Sequence, residues 1–472
     1  MRVRCVLIAV NPRTLGPAVA MMLLGACSGY GNSGAPVSRL QLTAAADAVF
    51  VGERAQLTPI FDGGAGSIDG IGAVRSGISV DTPILSRTTI FTLRVRDGYG
   101  EVQARTTVRA NYRDRIRALA AAPVGQTSHV AVALPGGRAI VMGGNTTATS
   151  HVPDSTLTQI FDAATEHFTP GPDLPFSAEA PRTTATALTG GGFVLVGAGT
   201  NAGVGALGSV ITARFDPSAA TFTRVGDAVT AGIPLRTVSS LSDGGALLTG
   251  GLTANVDRFD AASGQWRAAG PIQQIRALHT TTLLRDGRVL IAGGVGCCSL
   301  TDPSRVSELN TAEIYDPASD AFTPTGSMGA ARAEHAAALL PDGRVLIAGG
   351  NTQDDEATSP PLGTEIFDPA SGRFTSAGDL QAPRDSHAAV TLTDGRVLVI
   401  GGRVPAEISG KQGVGISSTE IFDPATGMWA PGPTLDAAFY GATITMLSNG
   451  KVLVFGGQDV DGFPQSATAL FE

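Results

Sequence analysis

Cysteine is scarce in this 472-residue chain, with four in all, and two of them, Cys5 and Cys27, fall in the first 27 residues. The other two, Cys297 and Cys298, are adjacent, so no long-range disulfide framework can form. Lysine is scarcer still, limited to Lys411 and Lys451, and the positive charge is carried by arginine. Charged residues make up only 16% of the chain, the net charge is −8, and no basic run occurs. Counterion-driven binding to nucleic acid therefore has little to act through. No segment reaches 18 consecutive apolar residues, the length a membrane-spanning helix needs. With 43% hydrophobic residues, the composition is still that of a folded chain.

At the start of the chain, Arg2, Arg4 and Arg13 flank or precede an apolar stretch over 14–25, too short to cross a bilayer as a helix. It ends in Leu24, Gly25, Ala26 and Cys27. This arrangement resembles a bacterial lipoprotein signal. The resemblance implies removal of residues 1–26, acylation of Cys27 and, with Ser28 rather than Asp beside it, sorting to an outer membrane. At ~0.8 kcal/mol per buried methylene, three acyl chains would hold the protein there permanently. The expected location is thus the cell envelope, reached through the lipid anchor alone. Residues 27–36 are small and polar, and read as a flexible tether.

Residues 37–110 have the patterning of short strands. In TIFTLRVRDGYGEVQARTTVRA, Phe91, Leu93 and Val95 alternate inward, 97–100 turn, and Val102, Ala104 and Val108 return. Upstream, FVGERAQLTPIF reads as a second strand pair, followed by the glycine-rich FDGGAGSIDGIG. About 74 residues of this kind fit a small immunoglobulin-like β-sandwich, and the segment looks like the Ig-like spacers of bacterial surface proteins.

Beyond residue 110 one sentence recurs. RALHTTTLLRDGRVLIAGG, AEHAAALLPDGRVLIAGG and DSHAAVTLTDGRVLVIGG are its clearest copies, each followed by a phrase of the type TEIFDPASGRFTSAG. Aligned on the paired glycines, the copies fall at Gly143, Ala198, Gly250, Gly293, Gly349, Gly401 and Gly456, at intervals of 55, 52, 43, 56, 52 and 55 residues. A period near 50 ending in glycines points to a propeller, because one such unit cannot bury its apolar face alone. Each unit reads as four strands. The pairs Asp286-Gly287, Asp342-Gly343, Asp394-Gly395 and Asn449-Gly450 predict two-residue type I′ hairpins between strands one and two. A second tight turn of the type 368–372 leads to strand four, marked by Phe374 or Trp429. The last unit stops at a third strand, so a segment at about 111–119 is expected to supply its fourth and close the ring.

These phrases resemble the kelch family over about 360 residues. The fold expected is all-β: a seven-bladed kelch-type β-propeller over 111–472, preceded by the Ig-like sandwich over 37–110. The resemblance fixes architecture and leaves function open, from copper oxidases to protein and carbohydrate binders.

Four histidines, His129, His279, His335 and His387, share one repeat position. A ring of imidazoles at the channel mouth could bind a metal. The ring is broken by Thr184, Arg236 and Ala442, so these histidines read instead as repeat residues bonded within their own blade, and no metal is assigned. The arginines Arg276, Arg332 and Arg384 read as blade-to-blade hydrogen-bond donors. Long, dissimilar loops gather on one face, at roughly 145–158, 200–211, 295–311, 351–363, 403–418 and 458–467. Dissimilar loops on one rim of a rigid repeat are where binding resides. Candidate binding residues there are the vicinal pair Cys297 and Cys298, the acidic trio Asp354, Asp355 and Glu356, and Arg403.

A galactose-oxidase-like copper enzyme is the alternative. That resemblance implies a tyrosine beside a histidine ligand, yet none of Tyr30, Tyr99, Tyr112, Tyr315 and Tyr440 adjoins a histidine. The expectation is a non-catalytic, monomeric envelope lipoprotein without cofactor, binding an unidentified protein or glycan on its loop face, and no nucleic acid.

Overall fold

The computed structural model of the protein describes residues 37–472 except 145, 147–155, 176–183, 189–191, 199–209, 227, 229–235, 252, 297–306, 352–362, 405–413, 439 and 460–462. The chain divides into two units, Met1–Arg113 and Asp114–Glu472. All regular structure among the described residues is β.

In the first unit eight strands form two sheets: Leu40–Ala44 (β1), Ala48–Phe50 (β2), Gln56–Phe61 (β3), Ala65–Ile68 (β4), Gly72–Val74 (β5), Val80–Asp81 (β6), Thr89–Asp97 (β7) and Gly100–Asn111 (β8). One sheet has the order β1-β3-β6, the other β2-β8-β7-β4-β5. The β7–β8 hairpin pairs from Thr89↔Val108 to Asp97↔Gly100. Its inward side chains Phe91, Leu93, Val95 and Val108 join Leu57 and Ile68 in the core, where Leu57, Leu93, Val95 and Val108 are fully buried. β2 and β3 are not a strand pair, contrary to the alternation in FVGERAQLTPIF. β2 runs parallel to β8 and β3 pairs with β1. Val51 and Ala55 are both buried at the corner between them, so the chain crosses the core from one sheet to the other.

The second unit contains, among the described residues, seven four-stranded antiparallel sheets, called I to VII in chain order. They cover 130–170, 184–225, 236–268, 280–324, 336–379, 388–431 and 443–471. Sheet V is representative: Ala336–Leu339, Val345–Ala348, Gly363–Asp368 and Arg373–Asp379 lie in sequence order. The fourth strand of sheet VII is Ile116–Ala118 (β9), paired with Thr468–Phe471. Asn111 belongs to β8, so this strand is shorter than the 111–119 segment and lies within its second half. The first strands touch one another in order around the unit, and that of sheet VII returns to that of sheet I.

The apolar core lies between successive sheets. Leu290, Ala292 and Ile314 of sheet IV pack on Val345, Ile347 and Phe367 of sheet V, and similar layers join I to II, II to III, III to IV and V to VI, and VII to I. In six sheets the third and fourth strands place two aromatic rings directly opposite each other: Phe161–Phe168, Phe215–Phe222, Phe259–Trp266, Tyr315–Phe322, Phe367–Phe374 and Phe422–Trp429, with centroids 4.9–5.3 Å apart. Such tilted cross-strand ring pairs stabilise the outer edge by burial and by ring-to-ring contact. In sheet VII the partner of Phe471 is Ile116.

The strand-one to strand-two turns differ from the type I′ expectation. Gly287, Gly343, Gly395 and Gly450 have φ of 86–97°, whereas the preceding Asp or Asn is not in the left-handed region. The Gly287 N–H donates to Leu284 O and the Leu284 N–H to Arg288 O. That is a three-residue loop, a type I turn closed by a glycine bulge. Asp286 serves it through its side chain, accepting from the Arg288 N–H at 3.1 Å.

Candidate functional site

The repeated histidines and arginines hold the sheets, with the opposite division of labour from that expected. Arg276, Arg332 and Arg384 are at most 1% exposed. Arg276 Nη1 donates to the carbonyls of Gly293 (2.8 Å) and Thr311 (3.0 Å), and Nη2 to Glu313 Oε1 (2.9 Å). Arg332 reaches Gly349, Gly363 and Glu365 in the same way, and Arg384 reaches Gly401, Ser418 and Glu420. Each glutamate accepts in turn from backbone N–H groups of the incoming segment, as Glu313 does from Gln273 and Gln274. Every partner lies in the arginine's own sheet or its lead-in. The guanidinium is a planar fork that fits a strand-end carbonyl and a carboxylate at once, so it ties strands two and three to the entry of strand one. Sheet I makes the same tie without charge: Gln126 donates to Gly143 O (2.5 Å), and Gln159 donates to Gln126 Oε1 (2.9 Å).

The histidines work between sheets. His129, His279, His335 and His387 are only 5–9% exposed, so they do not line an open mouth. Nε2 of His129 (sheet I) bonds Thr443 Oγ1 (sheet VII) at 2.8 Å, His335 (V) bonds Thr280 (IV) at 2.9 Å, and His279 (IV) bonds Thr249 (III) at 2.9 Å. Sheet V has Ala336 where sheet IV has Thr280, so His387 finds no hydroxyl there. Each ring lies over the first glycine of the preceding sheet's pair. An ideal Cβ on Gly250, Gly349 or Gly456 would lie 2.5 Å from Cε1 of His279, His387 or His129. The second glycine faces its own sheet, as Gly350 does the Ala333 carbonyl. Burial lowers the imidazole pKa to about 4 in His129 and to about 3 in His279 and His387, and well below the usual value in His335. The rings are neutral near pH 7.

The side of the unit where strand two leads to strand three carries two short added ribbons. Val295–Gly296 pairs with Ser307–Glu308, and Arg403–Val404 with Val414–Gly415. Arg403, a binding candidate, is half-buried there: Nε donates to Asp385 Oδ1 (2.8 Å) and Nη2 to Glu334 Oε2 (3.4 Å). Its guanidinium carbon lies 5.3 Å from the centre of the Tyr440 ring. Asp385 is 1% exposed, and burial raises its carboxyl pKa. Nothing in the repeat sentence marked Glu334, Asp385 or Tyr440; their signal is that they occupy positions on which the copies disagree. The candidates Cys27, Cys297, Cys298, Asp354, Asp355 and Glu356 lie outside the described residues.

Residues 386–435 match the family model described as the Kelch motif. The repeat arrangement and this match agree. The chain contains kelch repeats. Relatives include human Kelch-like protein 34, 27% identical over 216 residues, which are 44% of this chain and 32% of that protein. Galactose oxidase of Gibberella zeae is 32% identical over 130 residues, 27% of this chain and 18% of the enzyme. Both matches thus span a third or less of the relative. Among solved structures, a fungal alcohol oxidase of the AA5 family, in complex with copper, has a TM-score of 0.57 at 15% identity, covering 76% of this chain and 75% of that one. This likeness shows a shared kelch β-propeller fold.

Among the described residues, no three His, Cys, Asp or Glu side chains come together as a group that could hold a metal ion. Tyr315 is committed to Asp320 and Arg258, and each repeated histidine is packed on glycine in a separate sheet junction.

Proposed function

We propose that this chain is a non-catalytic binding protein of the cell envelope, in which a seven-bladed kelch propeller is carried on an immunoglobulin-like spacer and a lipidated Cys27. The seven four-stranded sheets and the closed cycle of their first strands support the blade count. The two facing sheets of the first unit, with β2 parallel to β8, support the Ig-like reading. One observation carries the functional part. The residues that the copies share, the Arg, His and paired glycines, are consumed in holding the sheets, while the face bearing the strand-two to strand-three loops is where the copies diverge.

The test is capture. The mature full-length protein retains a protein or glycan from envelope extracts, and variants shortened between Gly296 and Ser307 or between Asn351 and Gly363 lose it while melting at the same temperature. Unchanged capture would leave the face a scaffold surface. For the anchor, Cys27→Ala abolishes palmitate labelling and releases the protein from membranes.

The second reading, a copper-dependent oxidase, draws on the similarity to galactose oxidase and to the fungal alcohol oxidase. Stoichiometric copper in protein purified from its native membrane would favour it over a binding role.

A further inference from the structure

We infer that Glu334, Arg403 and Tyr440 form a subsite for the vicinal diol of a neutral sugar, an assignment that builds on the reading of the loop face as a binding surface. Between the repeat's Arg and His positions lie two residues that the copies fill differently: Thr127–Ser128, Ala277–Leu278, Ala333–Glu334, Asp385–Ser386 and Tyr440–Gly441. The second of each pair has positive φ, 49–67°, in all five, so the backbone shape belongs to the repeat and only the side chains vary. In four of the five, Ala277, Ala333, Asp385 and Tyr440, the first is bridged to the residue after the paired glycines, as Asp385 is to Arg403 and Tyr440 to Gln458. A chain of backbone bonds then lays these dipeptides side by side: Glu334 N–H to Leu278 O, Ser386 N–H to Glu334 O, and Gly441 N–H to Ser386 O, at 3.1–3.2 Å.

This rigid course changes character along its length. At sheet IV it is apolar, with Ala277, Leu278, Val295 and Ala333 packed together. From sheet V to sheet VII it is polar. Buried Asp385 fixes Arg403 through Nε, and Ser386 Oγ donates to Glu334 Oε2 (3.1 Å), the oxygen that also faces Arg403. Three polar atoms remain without a hydrogen-bond partner among the described residues: Glu334 Oε1, Arg403 Nη1 and the Tyr440 hydroxyl. The Arg403 and Glu334 side chains are 31% and 25% exposed, within reach of a ligand.

The chemistry of those three atoms narrows the ligand. A carboxylate oxygen can only accept and a guanidinium N–H can only donate. Two adjacent hydroxyls satisfy both at once, one donating to Glu334 and the other accepting from Arg403, with the phenol able to do either. Glu334, Asp385 and Arg403 sum to a formal charge of −1, so a uronate or sulfate would meet an uncompensated carboxylate. An ammonium ligand would meet Arg403. Holding the two groups in place beforehand lowers the ordering cost of binding.

Affinity electrophoresis of the mature full-length protein tests this, in gels cast with dextran, mannan or galactan and, separately, with the polyuronate alginate. The expected result is retardation in at least one neutral gel and none in alginate. Glu334→Gln and Arg403→Gln should each weaken retention about tenfold or more, the loss expected for a hydrogen bond to a charged group. Tyr440→Phe should weaken it a few-fold, and Ser128→Ala, at the equivalent repeat position before sheet I, should leave it unchanged. Tyr440→Phe removes one hydroxyl, so it reports on binding even where the charge variants fold poorly. Three results would overturn the assignment: no retardation in any neutral gel, retardation confined to alginate, or retardation indifferent to all three substitutions. If the loop-shortened variants lose capture while these three retain it, the subsite fails and the loop face stands. Stoichiometric copper would instead sink the binding role itself.

Discussion

An ideal Cβ on Gly293 would lie 2.7 Å from Cε1 of His335, so the imidazole of sheet V takes the space of a side chain that sheet IV does not have. Gly293→Ala must displace that ring, meets the Arg332 carbonyl oxygen at 2.6 Å, and stands at φ 61°. Left-handed strain and overpacking together should cost about 3 kcal/mol. Opposite Gly401 the next sheet carries Ala442, which has no ring. Gly401→Ala should therefore cost less, about 1–2 kcal/mol from backbone strain at φ 59°. Urea midpoints of the two variants measure the difference, and equal losses would contradict the His–Gly pairing.

The Arg332–Glu365 tie should be far more sensitive to losing one partner than to losing its charge. Arg332→Ala leaves the Glu365 carboxylate buried without its counter-charge, held only by the Gly329 and Ala330 N–H groups, and two strand-end carbonyls unanswered, for a loss of about 3–5 kcal/mol. The double variant Arg332→Gln with Glu365→Gln copies Gln126 and Gln159 of sheet I and should fall within about 1 kcal/mol of the parent. A double variant as unstable as the single one would show that sheets I and V are held differently.

Acid should destabilise the propeller through its histidines. An unfolded imidazole titrates near 6.5. In the fold, burial lowers this to about 4 in His129 and about 3 in His279 and His387. Below pH 6.5 the unfolded chain therefore binds protons that the folded one does not, and stability falls as pH drops from 6.5 toward 4. Above pH 7 this contribution is flat. The loss should be on the order of 2 kcal/mol per histidine by pH 4.5. His279→Gln should flatten the slope between pH 6.5 and 4.5, measured as urea stability at half-unit steps. An unchanged slope would mean the ring is protonated in the fold.

Ala220 stands at φ 51° in the strand-three to strand-four turn of sheet II, where sheets III, V and VI have Gly264, Gly372 and Gly427 at φ 66–71°. Ala220→Gly should stabilise the protein by about 1 kcal/mol, since it relieves a left-handed alanine at an exposed site. Thermal unfolding would register the gain as a higher Tm, and a lower Tm would count against it.

How much of this was legible in the sequence depends on whether a residue's partner is near or far along the chain. The paired glycines and the Asp-Gly turns repeat at fixed offsets, and they identified the repeat. The turn class was misread because Asp286 acts through its carboxylate and not by adopting positive φ. The roles of Arg332 and His335 were exchanged for a related reason. Both recur in step, and recurrence alone cannot say whether a side chain turns to its own sheet or to the neighbour 55 residues away. The Arg403 cluster was visible only as disagreement among copies. Its members lie at 334, 385, 403 and 440, and only the stacking of sheets brings them together.

The pairing of Ile116–Ala118 with Thr468–Phe471 sets a timetable for synthesis. Arg115 and Glu472, partners in one ion pair, are 357 positions apart. At ~5–20 residues per second, the early strand waits tens of seconds on the ribosome for its mate. During that interval sheet I has no neighbour on one side, and its apolar layer against Leu453, Phe455 and Leu470 stays open. Weakening this seam would be felt first in the yield of correctly folded chains, before it is felt in the stability of those already closed.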